Sequence, residues 1–136
     1  MSTDIYKAAG IIIRDRKLLV EKSVGKDFFI SPGGSIEPGE TPKQALVREL
    51  KEEFDIKVSE KDLEFFGVFE AEAANHPGQK VKMEAFRVKN YKGEPVPSSE
   101  VEHIAWIDTK PPKGMKVGSI FEHQIMPKLK EEDLID

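Results

Sequence analysis

Apolar positions recur along this chain in two rhythms, and these divide it into elements before any chemistry is considered. Residues 5 to 13 (Ile-Tyr-Lys-Ala-Ala-Gly-Ile-Ile-Ile) and 17 to 24 (Lys-Leu-Leu-Val-Glu-Lys-Ser-Val) carry the apolar runs of strands. The polar Arg14-Asp15-Arg16 between them predicts a hairpin. Gly10 inside the first strand fits a small residue beneath a packed helix better than a bulge or the close approach of a ligand. Phe28-Phe29-Ile30 predicts a short strand, and 63 to 70 with 81 to 88 an antiparallel pair across a loop holding Asn75-His76-Pro77-Gly78. A polar stretch from Asn90 to Glu100 leads to a last strand, Ile104 to Ile107.

Between the first strands and that later pair the rhythm turns helical. At about 100° per residue, Leu46, Val47, Leu50 and Phe54 share roughly one third of a helix circumference. Thr41, Pro42 and Gln44 form a capping box with proline at the first helical position, so the helix starts there. A second capping box, Ser119 with Glu122, opens a C-terminal helix with Ile120, Phe121 and Ile125 on its apolar face. Pro127 is expected to kink or interrupt it, and the acidic Glu131-Glu132-Asp133 to fray. This order lacks the strict alternation of a doubly wound parallel sheet. It predicts an α+β fold, a mixed sheet with one helix from the middle of the chain and one from its end.

The 136 residues suit a single domain, 1–136, around one core. A net charge of −4 with 34% charged residues argues against a partner recognised through a nucleic-acid backbone, and leaves room for a small phosphorylated ligand. There is no cysteine, which excludes disulfides, thiolate ligands and thiol nucleophiles. No apolar run suggests a membrane span or a signal core at the N-terminus, so a cytoplasmic protein is expected, with no membrane partner.

The helix also carries Glu49, Glu52 and Glu53 on an arc separate from its apolar face. Like charges at this spacing oppose one another by a few tenths of a kcal/mol, so the cluster needs either solvent or a cation. A solvated helix face is the plain reading. The surrounding sequence favours the cation, because Gly34, then Glu40 after five residues, then after seven more Arg48-Glu49-Leu50-Lys51-Glu52-Glu53 and an apolar Ile56 reproduce the Nudix box. The chain resembles a Nudix hydrolase. The lead-in from Phe28 through Pro32-Gly33-Gly34 to Glu40 is similar to that of MutT-like members. One position departs from the pattern, Asp55, where the family has glycine. Aspartate is among the few other residues that tolerate the left-handed conformation of a helix terminus, so an intact end is expected.

The resemblance implies an α/β/α sandwich in which helices flank the mixed sheet. It also implies a hydrolase dependent on Mg²⁺, or Mn²⁺ in its place, since hard cations are shared between a few carboxylates and substrate phosphates. Carried onto matching positions, Glu49, Glu52, Glu53 and the carbonyl of Gly33 are metal ligands. Arg48 orients neighbouring glutamates, and Glu40 ties loop to helix. Glu49, Glu52 and Arg48 form the catalytic set, and either Glu49 or a distant glutamate is the general base. Glu102 is that distant candidate, ahead of Glu100, and a further metal ligand. Lys22, Phe28 and Gly34 make up the substrate-facing set, although a surface lysine and a core phenylalanine are the plainer fates of the first two. His76, His103 and His123 lack metal-ligand spacing.

The implied reaction splits a nucleoside triphosphate, such as an oxidised purine dNTP of the 8-oxo-dGTP kind, into nucleoside monophosphate and pyrophosphate. The partner is then a small nucleotide, and the protein a monomer or homodimer. ADP-ribose or a nucleoside diphosphate sugar is the alternative substrate, although the hallmark proline of that group falls nearer the box than Pro77 does. A nucleotide-binding Nudix domain without turnover is the alternative of another class, disfavoured by the complete set of box glutamates.

Overall fold

The computed structural model describes residues 4–72 and 78–136. Among these residues seven strands, β1 (Ile5–Ile11), β2 (Ile13–Arg14), β3 (Lys17–Ser23), β4 (Gly33–Ser35), β5 (Leu63–Glu72), β6 (Lys80–Val88) and β7 (Val101–Ile107), form two sheets, ordered β4-β1-β6-β5 and β2-β3-β7. β1 runs parallel to β6 and antiparallel to β4, so the larger sheet is mixed, as expected. The β5–β6 pair is antiparallel as predicted and longer than its apolar run. His76 and Pro77 of the connecting loop lie outside the described residues.

Helix α1 (Pro42–Phe54) begins as its sequence dictates. Thr41 accepts the Gln44 N–H through its side chain, and the Gln44 side chain accepts the Thr41 N–H. Ala45, Leu46, Leu50 and Phe54 are buried against Ala8, Ile12 and Leu19, with Val47 packed beside them. Each such aliphatic or aromatic side chain contributes about 1.5–3 kcal/mol of burial. Gly10 sits beneath this helix: a Cβ there would lie 3.2 Å from Leu46, the close packing anticipated for it. Ala9, Ile11, Leu18 and Val20, the alternate residues of the same strands, pack instead against Phe121, Ile125, Met126 and Leu129. β1 and β3 are thus buried on both faces, with a helix on each side. No helix among the described residues is long and apolar enough to cross a membrane.

Four expectations are corrected. The hairpin of 5–13 with 17–24 forms only through β2, where Asp15 and Arg16 take φ 51° and 61° in a two-residue turn that matches strand twist. β1 leaves that partner for β4 and β6. The Phe28–Ile30 segment is no strand, because consecutive residues bond different neighbours: Phe29 N–H donates to Lys116 O at 2.8 Å and Ile30 N–H to Glu21 O at 2.9 Å. At the C-terminus Ser119 is already helical, so its capping box with Glu122 does not form. Pro127 is accommodated by a widened π-turn, Phe121–Ile125, ahead of α2 (Met126–Glu131). The acidic tail is not frayed. Arg16 holds Asp133 at 2.7 Å and Asp136 at 2.6 Å, and Ile135 is buried in the core.

Candidate active site

The glycines after Pro32 bring the chain to the edge of β1, where Ala9 pairs with Gly33 and Ala8 with Gly34. Gly33 has φ 144°, and a Cβ on it would fall 2.1 Å from the Ala8 carbonyl oxygen, so only glycine fits. A Cβ on Gly34 would fall 2.6–2.9 Å from the carboxylate of Glu49. The loop therefore lies directly against α1, and the Gly33 N–H donates to Glu53 Oε1 at 3.4 Å.

Arg48 fastens this arrangement. Its Nε and Nη2 donate to the two Glu40 oxygens at 2.8 and 2.9 Å, Nη2 also to the Ser35 carbonyl at 3.2 Å, and Nη1 to Glu49 Oε1 at 2.8 Å. Glu52 Oε2 stands further off, 3.5 Å from Nη1. Glu40 in turn accepts the Glu37 N–H at 3.0 Å. A fork-to-fork pair of this kind fixes orientation as well as charge. The guanidinium, followed by the Glu37 amide, holds the Glu40 carboxyl down to about 2, and Glu40 foremost raises the pKa of Arg48.

Below the loop the charges are less well matched. Glu21 of β3, 1% exposed, meets Glu53 side chain to side chain, and Glu21 Oε2 has no hydrogen-bond partner. Burial pushes the pKa of both carboxyls up. The Glu21 charge raises Glu53 further, and Glu49 adds to the rise in both. Two carboxylates in one dry pocket require a shared proton or a cation between them. Among the described residues no three carboxylate or histidine side chains converge at ligand distance as they stand, since Glu49 and Glu52 are turned toward Arg48. An unpartnered buried oxygen, hard oxygen donors on facing elements and a glycine cradle that a single Cβ would fill nevertheless fit a divalent cation.

The structure thus brings Gly33, Gly34, Glu40, Arg48, Glu49, Glu52 and Glu53 together. Glu102 lies in β7, 3.5 Å from Lys22 Nζ and 3.3 Å from His103 Nε2, with no hydrogen bond or ion pair to that group among the described residues. Lys22 is engaged there and by the Lys26 carbonyl at 3.4 Å. Phe28 is half-buried outside both core clusters, whereas Phe29 packs against the C-terminal side of the core. Glu100 and His123 are exposed. Glu21 was not singled out by the sequence reading. Its signal was the uninterrupted Leu18-Leu19-Val20, which marks a strand buried on both faces and so places position 21 on the face of Leu19, under α1.

Comparison with known proteins agrees with this geometry. The NUDIX domain model matches residues 5–117. The chain is 35% identical over 109 residues to an 8-oxo-dGTP diphosphatase of Haemophilus influenzae, covering 76% of each chain. It is 26% identical over 98 residues to the Nudix hydrolase YvcI of Bacillus subtilis, covering 72% of this chain and 62% of that protein. An ADP-ribose pyrophosphatase of Methanocaldococcus jannaschii is 49% identical over 47 residues, 32% of this chain and 28% of that one. The crystal structure of a MutT protein from Methanosarcina mazei superposes with TM-score 0.77 over 97% of this chain and 96% of the other, at 18% identity, a likeness of fold. With Glu40, Glu49 and Glu52 gathered around Arg48 and Glu53 against the glycine loop, the chain belongs to the Nudix hydrolase family, where it resembles the MutT-like members.

Proposed function

We propose that the protein is a metal-dependent nucleoside triphosphate pyrophosphohydrolase, acting in the cytoplasm as a monomer or homodimer. The observation that carries this reading is the set of carboxylates that Arg48 and the glycine loop hold against the buried Glu21–Glu53 pair. Glu49, Glu52, Glu53 and the Gly33 carbonyl are the groups to hold Mg²⁺. Bound there, the cation neutralises phosphate oxygens and lowers the pKa of water. The chain does the rest. Gly34 leaves the space in which Glu49 sits, and Arg48 fixes that carboxylate at 2.8 Å with its side chain only 16% exposed. Glu49 is therefore the group placed to take the proton of the attacking water. Water oxygen bonds to phosphorus, the bridging P–O bond between the α- and β-phosphates breaks, the proton held by Glu49 passes to the departing oxygen or to solvent, and nucleoside monophosphate and pyrophosphate leave. The similarity to 8-oxo-dGTP diphosphatases supports an oxidised purine nucleotide as substrate.

The test is nucleoside monophosphate release, with pyrophosphate followed alongside it, from a nucleotide panel that includes ADP-ribose, with and without Mg²⁺. Turnover of a nucleoside triphosphate, lost by about 100-fold or more in Glu53→Gln, is expected. The similarity to an ADP-ribose pyrophosphatase supports a second reading, favoured if ADP-ribose is cleaved and triphosphates are not. Nucleotide binding with no turnover of any panel member points to a binding domain.

A further inference from the structure

We infer that Glu21, which lies outside the Nudix box on β3, is a further carboxylate of the cation site and faces the ion opposite Glu53. The inference rests on the cation reading of the preceding section and adds a residue to it from the sheet.

Three observations lead there. Glu21 is 1% exposed, and its Oε2 finds no donor although the rest of the site is richly bonded. A buried carboxylate oxygen without a partner is strongly unfavourable unless something positive completes it. Its side chain meets the carboxylate of Glu53, itself an acceptor already bonded to the Gly33 N–H, so neither can donate to the other while both are ionised. The position is also rigid. Glu21 N–H donates to Ile30 O at 2.7 Å and its carbonyl accepts from Ile30 at 2.9 Å, while β7 flanks the other edge at Ile104. The backbone cannot swing the side chain to solvent, and strand alternation directs it under α1 with Leu19. Lys7 is the cation whose field reaches Glu21, and it is not hydrogen-bonded to it.

A purely structural role is the competing account: the two carboxyls share one proton and brace sheet against helix. Glu21→Gln separates the two, because glutamine keeps the size and supplies the N–H that such a brace needs, while removing the charge that an ion needs. Mn²⁺ alone is titrated into the metal-stripped full chain by calorimetry, with the thermal melt of each variant recorded. We expect wild-type protein to bind Mn²⁺, Glu21→Gln to bind it about 10- to 100-fold more weakly while melting no lower than wild type without metal, and Glu21→Asp, which keeps the charge, to lie between. Unchanged Mn²⁺ affinity in Glu21→Gln, with affinity lost in Glu53→Gln, overturns the inference and leaves the cation site standing. Failure of the wild-type chain to bind Mn²⁺ overturns both.

Discussion

The Glu49 carboxylate occupies the space that a side chain at position 34 would need. Gly34, unlike Gly33, has an ordinary φ, so alanine suits its backbone and the conflict is confined to the 2.6–2.9 Å approach of a methyl group to a flexible side chain. Glu49 is the partner that yields, and with it goes the 2.8 Å bond to Arg48. Gly34→Ala is therefore expected to lower kcat/KM for pyrophosphate release on the order of 100-fold. Stability is expected to change by less than about 1 kcal/mol, checked by urea denaturation. Undiminished turnover would mean that Glu49 is not needed where Arg48 holds it. At this scale the box glutamates were legible, since three residues on one helix are related by local geometry alone. Glu102 and Lys22 were harder to place for the opposite reason: each was referred to a site on another element, and pairing of β3 with β7 brings them to one another.

Helix α1 is the element whose limits the sequence specifies most fully, because each end is set by side chains within four residues of it. Its N-terminus follows from Thr41, Pro42 and Gln44. Its C-terminus tests whether aspartate can serve where the family has glycine. Asp55 takes φ 55° and ψ 36°, its N–H reaches the Leu50 and Lys51 carbonyls, and its carboxylate meets Lys51 Nζ at 2.7 Å. That exposed ion pair contributes a few tenths of a kcal/mol, comparable to the residual strain of the left-handed backbone. Asp55→Gly should then match wild-type stability within about 0.5 kcal/mol, and Asp55→Val, β-branched in the same conformation, should lose about 1–2 kcal/mol. Chemical denaturation of the two variants decides. An equal loss in both would assign the terminus to the ion pair. The C-terminal helix was less legible: Pro127 announces a disturbance, yet whether the chain kinks or widens into a π-turn depends on how Phe121 and Ile125 seat in the core.

Over the whole molecule, strand order could not be read from the chain, since β1 with β6 and β3 with β7 are joined by residues far apart in sequence and apolar runs do not name their partners. The same non-local pairing delivers Glu21 beneath α1, and its consequence is a property of the entire fold. Burial raises the pKa of Glu21 and Glu53 above the ordinary 4.5; the Glu21 charge and then Glu49 raise Glu53 further, Glu49 also raises Glu21, and the contact with Glu53 and the field of Lys7 partly relieve Glu21. In the range above that value the folded chain binds more protons than the unfolded one, so stability falls as pH rises, by about 1.4 kcal/mol per pH unit for each full proton of difference. Glu40 works the other way but elsewhere: with its carboxyl held down to about 2, the stability it contributes is complete above 4.5 and is lost only in stronger acid. Metal-free protein should therefore lose stability between about pH 5 and 8, measured by urea denaturation in chelator, and Mg²⁺ added near pH 8 should restore it by binding only the folded state. A metal-free stability that stays level or climbs over that interval would show that the pair is relieved by the protein itself, leaving the cation no work to do there.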